Sequence, residues 1–370
     1  MSVMLRPTDI GELCDLVAAF AGKDDRLCLR GGGSKDAIGA PTPDVTVVDM
    51  RGFSGVVDYD PPELVLTVRA GTPLAEVQAL VAAENQMLAF DPEGLGTTIG
   101  GVIAAGMAGP LRLTRGGVRD HLLGFEAVSG RGERFVAGGK VVKNVTGFDL
   151  SKLMAGSWGR LAALTEVTLK VVPRPQLQQT LLLRGLDPAA AVAVMASALG
   201  TPAELSAAAH LAWHGEPVTA LRLDGFAPSV AARRAMLARD ALAALEPIDD
   251  DEGDALWDAV RHVRPLASAP ILWRIVVAPS KAPGVIIALP GAAWLLDWAG
   301  GLLWLASDSD PADIRRVAEA GGGHAMLVRG DTALRGAVSA FHPRSPALTA
   351  LETRVRRAFD PAGVFETGRF

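Results

Sequence analysis

The sequence predicts an α+β protein built in two parts. Glycine-rich loops and short apolar strands fill the N-terminal part, and a clean polar–apolar alternation over Glu166–Val171 is typical of an antiparallel strand buried on one face. Ala- and Leu-rich helices alternate with short strands in the C-terminal part, as in Ser229–Leu245 and Ile271–Val277. Pro173-Arg174-Pro175 separates the two compositions, so we place the boundary there.

The elements of the N-terminal part follow one another with recognisable signals. A helix is predicted from Thr8 or Asp9, where Thr8 can cap the first turn before apolar residues recur at helical spacing. Pro73 suits the first position of a second helix, because its missing N–H is not needed there. Strands are predicted at 27–29, 45–50 and 64–68, a hairpin at 124–136 with its turn at 130–132, and a short helix at 149–154.

An almost wholly apolar segment, Gly284–Ser307, is long enough to span a bilayer. Asp297 in its middle costs about 2.5–3.5 kcal/mol of insertion free energy, and Pro290-Gly291 and Gly300-Gly301 punctuate it like turns. We therefore expect a strand, a short helix and another strand in a soluble core. The alternative is a docking surface, because tryptophan is favoured in interfaces and the segment carries Trp294, Trp298 and Trp304.

Composition excludes several classes of function. The net charge is −5 and no dense basic run occurs, which argues against a nucleic acid or an anionic membrane as partner. Cys14 and Cys28 are the two cysteines, too few for a disulfide framework, a four-cysteine metal site or an iron–sulfur cluster, and no metal is expected. No export signal is recognisable at the N-terminus, so we expect a cytoplasmic protein.

Two glycine clusters could cradle a phosphate. In the first, Gly31-Gly32-Gly33 lets successive backbone N–H groups point inward, beside Arg30 and Lys35; an ordinary flexible turn is the alternative. The second, over 94–101, can bring a helix N-terminus against a pyrophosphate or simply allow tight helix packing. Neither cluster has the G-x-G-x-x-G spacing of a Rossmann fold, which argues against that dinucleotide site.

The order of several motifs along the chain is more specific for a family than either glycine cluster alone. RGGGSK, GTTIGG, GGVRDHLLG, KNVTGFDLSKLMAGSWG and LTEVTLKVVPRP follow one another between residues 30 and 175. This order resembles the FAD-binding domain of the vanillyl-alcohol oxidase/PCMH superfamily. More narrowly, AGPLRLTRGGVRDHLLG, VVKNVTGFDLSKLMAGSWG and the segment FDPAGVFETGRF resemble the smaller flavin subunit of bacterial glycolate oxidase.

The resemblance implies both a fold and an assembly. The fold is a PCMH-type FAD-binding domain of two α+β subdomains at 1–173, an α+β (ferredoxin-like) cap domain at 174–345, and a C-terminal helix and tail at 346–370 that pack back on the FAD domain. The assembly joins this flavin subunit to a related larger flavin subunit and an iron–sulfur subunit, and oxidises glycolate to glyoxylate. Any contact with the inner membrane would be made through those partners.

The resemblance also assigns FAD contacts by motif position. The pyrophosphate would be wrapped by Arg30, Gly31, Gly32, Gly33, Ser34 and Lys35. The pyrophosphate and the ribityl chain would be followed by Gly96, Thr97, Thr98, Ile99, Gly100 and Gly101. The flavin would be contacted, or its loop closed, by Gly116, Gly117, Arg119 and Asp120. The isoalloxazine or adenine pocket would be lined by Asn144, Gly147, Asp149 and Leu150. Close backbone approach would come from Gly156, Ser157 and Gly159, and the adenine-ribose end would meet Leu164.

Some positions depart from the pattern of the superfamily. Loop 31–34 holds no histidine for covalent attachment, so FAD is expected to bind non-covalently, and His121 is expected to pack or to face solvent. Gly321–His324 stands where related dehydrogenases carry Ser-Gly-Glu-His-Gly, and Glu366-Thr367-Gly368 stands where Asn-Pro-Gly is usual. Both departures argue against substrate oxidation by this chain alone.

The catalytic residues stay unassigned at this point. A 2-hydroxy acid calls for a cation to hold its carboxylate, and the candidates in the C-terminal part are His324, Arg329 and Arg274, each of which could instead be structural. Three hypotheses remain open: a flavin subunit of a glycolate-oxidising complex, a self-sufficient FAD-dependent 2-hydroxy-acid dehydrogenase, and a non-catalytic scaffold that retains the fold.

Overall fold

The structure is a computed structural model that describes residues 4–23, 25–92, 96–140, 148–237, 242 and 244–370. Strands from the two halves of the chain form separate sheets. The predicted α+β class is confirmed. The domain limits at 173 and 345 stay predictions.

The chain begins with a small parallel sheet. Strands β1 (Met4–Leu5), β2 (Leu27–Arg30) and β3 (Thr46–Asp49) lie in the order β1-β3-β2, and helix α1 (Ile10–Ala21) packs its buried Leu13 and Val17 against them. Asp9, not Thr8, is the cap of α1: its side chain accepts the Glu12 N–H at 3.0 Å. Thr8 was the wrong choice because its N–H and hydroxyl donate to the Glu12 carboxylate instead.

An antiparallel sheet follows, in the order β4-β5-β9-β7-β8. Its strands are β4 (Val56–Asp60), β5 (Val65–Arg69), β7 (Leu122–Ser129), β8 (Arg134–Gly138) and β9 (Ala162–Lys170). The predicted hairpin is confirmed as β7–β8. The half-buried antiparallel strand predicted at 166–171 is confirmed within β9. Val167, Leu169 and Val171 are fully buried, whereas Glu166 and Lys170 on the other face are partly exposed and Thr168 bonds to Thr67 at 3.0 Å.

Short elements connect these sheets and carry the glycine clusters. They are α2 (Leu74–Ala83), β6 (Gln86–Met87), α3 (Ile99–Ala105), α4 (Arg112–Arg115), α5 (Val118–His121), α6 (Ser151–Met154) and β10 (Val172–Pro173). Pro73 precedes α2 as its N-cap rather than occupying the first helical position, and α6 begins at Ser151 rather than 149. Strands β6 and β10 pair antiparallel next to the beginning of the C-terminal half.

The C-terminal half is one antiparallel sheet in the order β14-β11-β13-β12-β16-β17-β15-β18. Its strands are β11 (Leu177–Arg184), β12 (Ala207–Trp213), β13 (Glu216–Gly225), β14 (Glu246–Pro247), β15 (Leu272–Val276), β16 (Ala293–Asp297), β17 (Leu302–Ala306) and β18 (His324–Arg329). Its helices are α7 (Pro188–Leu199), α8 (Ala227–Leu237), α9 (Asp250–Arg261), α10 (Ala282–Ala288), α11 (Pro311–Ala320) and α12 (Thr332–Ala337).

This sheet consists of two ferredoxin-like βαββαβ units joined where β12 pairs with β16, through His210 and Leu296. One apolar cluster on the sheet includes residues of α7, α8, α10 and α11. A second cluster includes Trp298 and Trp304 together with Leu111 of the N-terminal half. The second face of the sheet therefore covers the N-terminal half, which places any site between them at this face.

The apolar segment 284–307 lies in this sheet. Strand β16, a 3-10 turn at Trp298–Gly300 and strand β17 match the predicted strand–helix–strand order, but the segment begins inside α10 rather than in a strand. Trp298 and Trp304 are buried, so they are core residues and not a docking surface. Among the described residues, no helix combines the length and the apolar character that crossing a membrane requires.

The last helix returns to the N-terminal half. Helix α13 (Pro346–Phe359) begins after its N-cap Ser345 and packs Val355 and Phe359 against the core of the antiparallel sheet. The buried carboxylate of Asp360 then accepts the N–H groups of Val364 and Phe365, both at 2.8 Å. These bonds fix the turn that follows α13.

Candidate functional site

The two glycine clusters lie against each other in the structure. A β-carbon at Gly31 would lie 2.2 Å from Oγ1 of Thr98, and one at Gly32 would lie 1.8 Å from the carbonyl oxygen of Gly96. Real side chains do not tolerate such distances. Loop 31–35 and the loop before α3 can meet only because glycine supplies no side chain at these positions.

The first turn of α3 completes this close approach. A β-carbon at Gly100 would lie 2.7 Å from both the β-carbon and the carbonyl oxygen of Ala70, at the end of β5. The hydroxyl of Thr98 caps the helix by accepting the Gly101 N–H at 3.3 Å, and Ile99 is buried below it. The N–H groups of Ile99 and Gly100 donate to the carbonyl oxygens of Thr72 and Ala70 at 2.9 and 2.7 Å, so backbone bonds hold this turn against the end of β5.

An open pocket lies where the two glycine clusters meet. Of the residues that the resemblance assigns to FAD, the pocket is lined by Arg30, Gly31, Gly32, Gly33, Ser34, Lys35, Thr97, Thr98, Gly100, Gly101, Gly159 and Leu164. Sequence reasoning missed other lining residues, namely Leu29, Asp36, Met50, Ala70, Ala104, Ala105, Trp158, Ala162, Arg369 and Phe370.

Cations outnumber anions around the pocket. Arg30 pairs with Asp36 at 2.5 Å, both half exposed, and Lys35 and Arg369 add two further positive charges. The Arg369 guanidinium donates to the carbonyl oxygens of Lys35 and of Ile38, the latter at 2.8 Å, and its burial lowers its pKa. The C-terminal tail thereby holds the first glycine loop in place, and the pocket favours an anion such as a diphosphate.

A third segment closes the pocket at the end of α3. Gly156 approaches the helix closely, because a β-carbon at Gly106 would lie 2.8 Å from the Gly156 α-carbon. The backbone N–H of Trp158 donates to the carbonyl oxygen of Ala104 at 2.8 Å. Trp158 has a φ of 56°, a left-handed backbone conformation that is unusual for tryptophan. Ser157 faces an adjoining groove rather than the pocket.

Other assigned residues lie away from the pocket. Gly116 and Gly117 form the turn between α4 and α5, and Arg119 and Asp120 lie in α5. The Asp120 carboxylate accepts the Gly117 N–H at 2.8 Å, and Arg119 is exposed. Next to this turn, Arg115 pairs with Asp224 of the C-terminal half at 2.9 Å. The turn thus connects the two halves in this structure.

The other residues singled out from the sequence have different surroundings in the structure. Asn144 and Gly147 lie outside the described residues. Asp149 is exposed and Leu150 packs partly against the core of the antiparallel sheet. His121 is buried, with Nε2 2.7 Å from the carbonyl oxygen of Arg115, and burial lowers its pKa. It therefore has the packing role that the sequence predicts.

The three catalytic candidates differ sharply in their surroundings. Arg329 donates to the carbonyl oxygens of Leu266, Ala267 and Ala269 at 2.8–3.1 Å, so its guanidinium closes a loop and is not available to a ligand. His324 is exposed at the beginning of β18, and partial burial of its ring followed by the charge of Arg274 lowers its pKa. Arg274 alone faces the interface of the two halves.

Arg274 forms part of a cluster that sequence reasoning did not predict. Its guanidinium lies 5.1 Å from the ring centre of Trp298, and the guanidinium of Arg112 from the N-terminal half lies 4.4 Å from the same ring. Neither has an ion-pair partner among the described residues. Burial and the neighbouring Arg112 lower the pKa of Arg274 to about 10. The pair suits a small anion.

Strained backbone holds the tryptophan of this cluster. Trp298 and Ala299 have φ of 50° and 56°, and the indole N–H donates to the Gly109 carbonyl oxygen at 3.1 Å across the interface. The buried carboxylate of Asp297 accepts the Trp298 N–H at 2.7 Å, and burial raises its pKa to about 7. Residues held in such conformations concentrate at functional sites.

The fold and the pocket define a flavin-binding oxidoreductase. Residues 1–138 match a family described as an FAD binding domain. The whole fold matches a structure of alkyldihydroxyacetonephosphate synthase with a TM-score of 0.70, over 98% of this chain and 76% of that chain, at 14% identity. These matches confirm the predicted PCMH-type FAD-binding fold and FAD as the cofactor; non-covalent attachment stays a prediction.

The family follows from a relative of matching length. The chain is 36% identical to glycolate oxidase subunit GlcE of Escherichia coli over 99% of both chains, and it belongs to the GlcE family. Other relatives match in part. Glycolate oxidase subunit GlcD of Bacillus subtilis is 33% identical over 48% of this chain and 38% of its own length. D-lactate dehydrogenase of Archaeoglobus fulgidus is 31% identical over 46% of this chain and 39% of its own.

The substitution Gly32→Ala should weaken FAD binding. Its new β-carbon would lie 1.8 Å from the Gly96 carbonyl oxygen, so the two loops must separate. We expect the dissociation constant for FAD to rise by about tenfold or more, equivalent to about 1.4 kcal/mol or more, as measured by flavin fluorescence titration. Gly284→Ala is the matched control, since no other atom lies within 4 Å of its β-carbon position. Equal affinity in both variants would contradict the proposed pocket.

Asp297 should make stability fall as pH rises. Its pKa is raised from 3.8 to about 7 in the folded chain, so the folded state holds a proton that the unfolded state has lost between these pH values. This contribution is fully present below pH 3.8 and lost by about pH 7. Asp297→Asn keeps the hydrogen-bond acceptor and removes the titration.

Urea unfolding at about pH 5 and about pH 8 measures the effect. The free energy of unfolding of Asp297→Asn, relative to the wild type, should be higher at about pH 8 than at about pH 5. The exposed Asp308→Asn should keep the wild-type pH slope. A slope shared by the wild type and Asp297→Asn would show that the carboxyl does not titrate as expected.

Proposed function

We propose that this chain is the FAD-binding subunit of a glycolate-oxidising complex and that its electrons leave through an iron–sulfur partner subunit. The observation that carries the proposal is the full-length similarity to GlcE combined with the glycine-lined pocket. The partial similarity to GlcD supports a related larger flavin subunit as a further partner. The complex is proposed to act in the cytoplasm, with any membrane contact made through its partners.

The residues present fit FAD. Gly31, Gly32 and Gly100 let the loops around the pocket approach closely, since β-carbons there would clash with Thr98, Gly96 and Ala70. Arg30, Lys35 and Arg369 line the pocket and would supply positive charge to a diphosphate. When bound, FAD supplies two-electron oxidation of an alcohol carbon. The chain's own residues bind and orient the cofactor.

The route of the electrons follows from the cysteine count. Cys14 and Cys28 cannot ligate an iron–sulfur cluster, which takes four ligands, and burial raises the pKa of both thiols. Electrons that pass on to iron–sulfur clusters must therefore leave through another chain.

The test compares complexes assembled from co-expressed subunits. A complex that contains the Gly32→Ala chain should retain its iron but carry one flavin fewer, and glycolate-dependent dye reduction should fall by about tenfold or more. The complex with Gly284→Ala should match the wild type. Full activity with the flavin missing would show a scaffold instead, and absence of FAD from the wild-type chain would overturn the proposal.

A second candidate function is self-sufficient oxidation of a small 2-hydroxy acid. The observation that favours it is the cluster of Arg112, Trp298 and Arg274, in which two arginines without ion-pair partners among the described residues face the interface of the two halves. A carboxylate between these guanidiniums would form charge-assisted hydrogen bonds and orient the carbinol carbon.

Arg274→Met tests this second function in the purified chain. Loss of one charge-assisted bond, worth about 1.5–3 kcal/mol, should raise the KM for glycolate by about 10- to 100-fold with a smaller change in kcat. The assay is anaerobic bleaching of the flavin absorbance, and the exposed Arg316→Met is the control. If glycolate does not bleach the wild-type chain alone, the second function is excluded and the complex remains.

A further inference from the structure

Large apolar side chains form an exposed groove beside α13. Leu348 and Leu351 of α13 and Leu153 of α6 are 53%, 52% and 37% exposed, and all three line the same depression with Leu161 and Phe341. Exposed apolar residues are unremarkable when scattered, but a contiguous group marks a binding surface. We call this depression the α13 groove.

The α13 groove shares a wall with the cofactor pocket. Trp158 and Phe370 line both cavities, and their ring centres are 5.1 Å apart. On the groove side, Phe341 stacks on Phe370 with ring centres 4.9 Å apart. The strained Trp158 is held by its bond to Ala104 at the end of α3. One layer of aromatic rings therefore separates a protein docked in the groove from the cofactor pocket.

Positive charge lies in and near the groove. Arg160, Arg344 and Arg356 line it, and α13 also carries Arg354 and Arg357, which are not among its lining residues. Glu352 and Glu366 pair with three of them: Glu352 lies 3.0 Å from Arg160 and 3.2 Å from Arg344, and Glu366 lies 2.7 Å from Arg356. Arg354 and Arg357 are exposed and have no ion-pair partner among the described residues. This surface is locally basic although the chain carries a net charge of −5.

We propose that the α13 groove is the docking site of the electron-accepting iron–sulfur subunit, whose contact face would carry apolar side chains within an acidic rim. The inference rests on the proposed function. An apolar centre with a charged rim is the usual pattern of a specific interface. A second copy of this chain would present the same basic rim and be repelled. Electron transfer requires the acceptor to lie close to the flavin, and a protein docked in the α13 groove would be separated from the cofactor pocket by one layer of aromatic rings. A scaffold has no such requirement.

The redox step balances within the complex. The iron–sulfur clusters of the partner would take up two electrons one at a time and be reduced. The flavin is thereby reoxidised, and its protons pass to water. No further oxidant is required for this step.

The first arm of the test measures binding to the separately purified iron–sulfur subunit. Leu348→Glu combined with Leu351→Glu places charge in the groove without touching the core, and should weaken binding by about tenfold or more. Ile287→Glu, at a residue of α10 that is 77% exposed, is the matched control and should bind like the wild type. Retained FAD verifies that each variant is folded.

The charge arm uses Arg354→Glu combined with Arg357→Glu, with the exposed Arg234→Glu as control. The double variant should bind more weakly and lose most of the salt dependence of the wild type, because salt screens exposed charges. Unchanged binding in both double variants would overturn the proposal. So would loss of binding to the larger flavin subunit, or of self-association, while the iron–sulfur subunit still binds.

Electron transfer is measured separately from substrate oxidation. Flavin reduced by dithionite should pass electrons to the iron–sulfur subunit about tenfold or more slowly in the Leu348→Glu, Leu351→Glu variant, while a small dye that needs no docking is reduced at the wild-type rate. An equal rate to both acceptors would overturn the inference. A wild-type complex that glycolate cannot reduce would instead contradict the proposed function, and the binding and dithionite results would still decide the docking site.

Discussion

The pocket depends on backbone-to-backbone contact between loops that belong to different sheets. Loop 31–35 leaves the parallel sheet at β2, whereas the Gly96–Gly101 segment leads into α3, which packs on the antiparallel sheet. A β-carbon at Gly32 would meet the Gly96 carbonyl, and one at Gly100 would meet Ala70. The absence of these two β-carbons lets the loops close on a common space. Arg30, Lys35 and Arg369 line that space and supply the positive charge that suits a diphosphate.

The interface of the two halves depends on bulky side chains on strained backbone, whereas the pocket depends on glycines. Trp298 and Ala299 adopt left-handed backbone conformations that cost about 1–3 kcal/mol each. Strands β16 and β17 on either side, and the bond from Trp298 to Gly109, hold them there. The result is an indole that contacts guanidiniums from both halves, next to a buried carboxyl whose pKa is raised by burial to about 7.

The C-terminal segment connects these features to the surface. Asp360 and Arg369 fix the tail against the N-terminal half, and Arg369 holds the first glycine loop through its carbonyl groups. The same segment contributes α13, whose Val355 and Phe359 face the core while Leu348 and Leu351 face the groove. Cofactor binding and the proposed partner docking would thus share one structural support.

Local sequence determined the secondary-structure elements of this protein and the glycine-rich loops predicted to bind the cofactor. Consecutive glycines, the 124–136 hairpin and the helical spacing of α1 are short-range features whose physical cause lies within a few residues. The α+β class followed from them. Tertiary structure decided which residues of these elements contact one another. No spacing in the sequence relates Arg369 to Lys35, although the Arg369 guanidinium donates to the Lys35 carbonyl oxygen in the fold. Likewise only packing separates Arg329, whose hydrogen bonds are satisfied by carbonyl groups, from Arg274, whose charge is left facing Arg112. Side-chain charge and burial depend on neighbours distant in sequence, and folding alone brings those neighbours together.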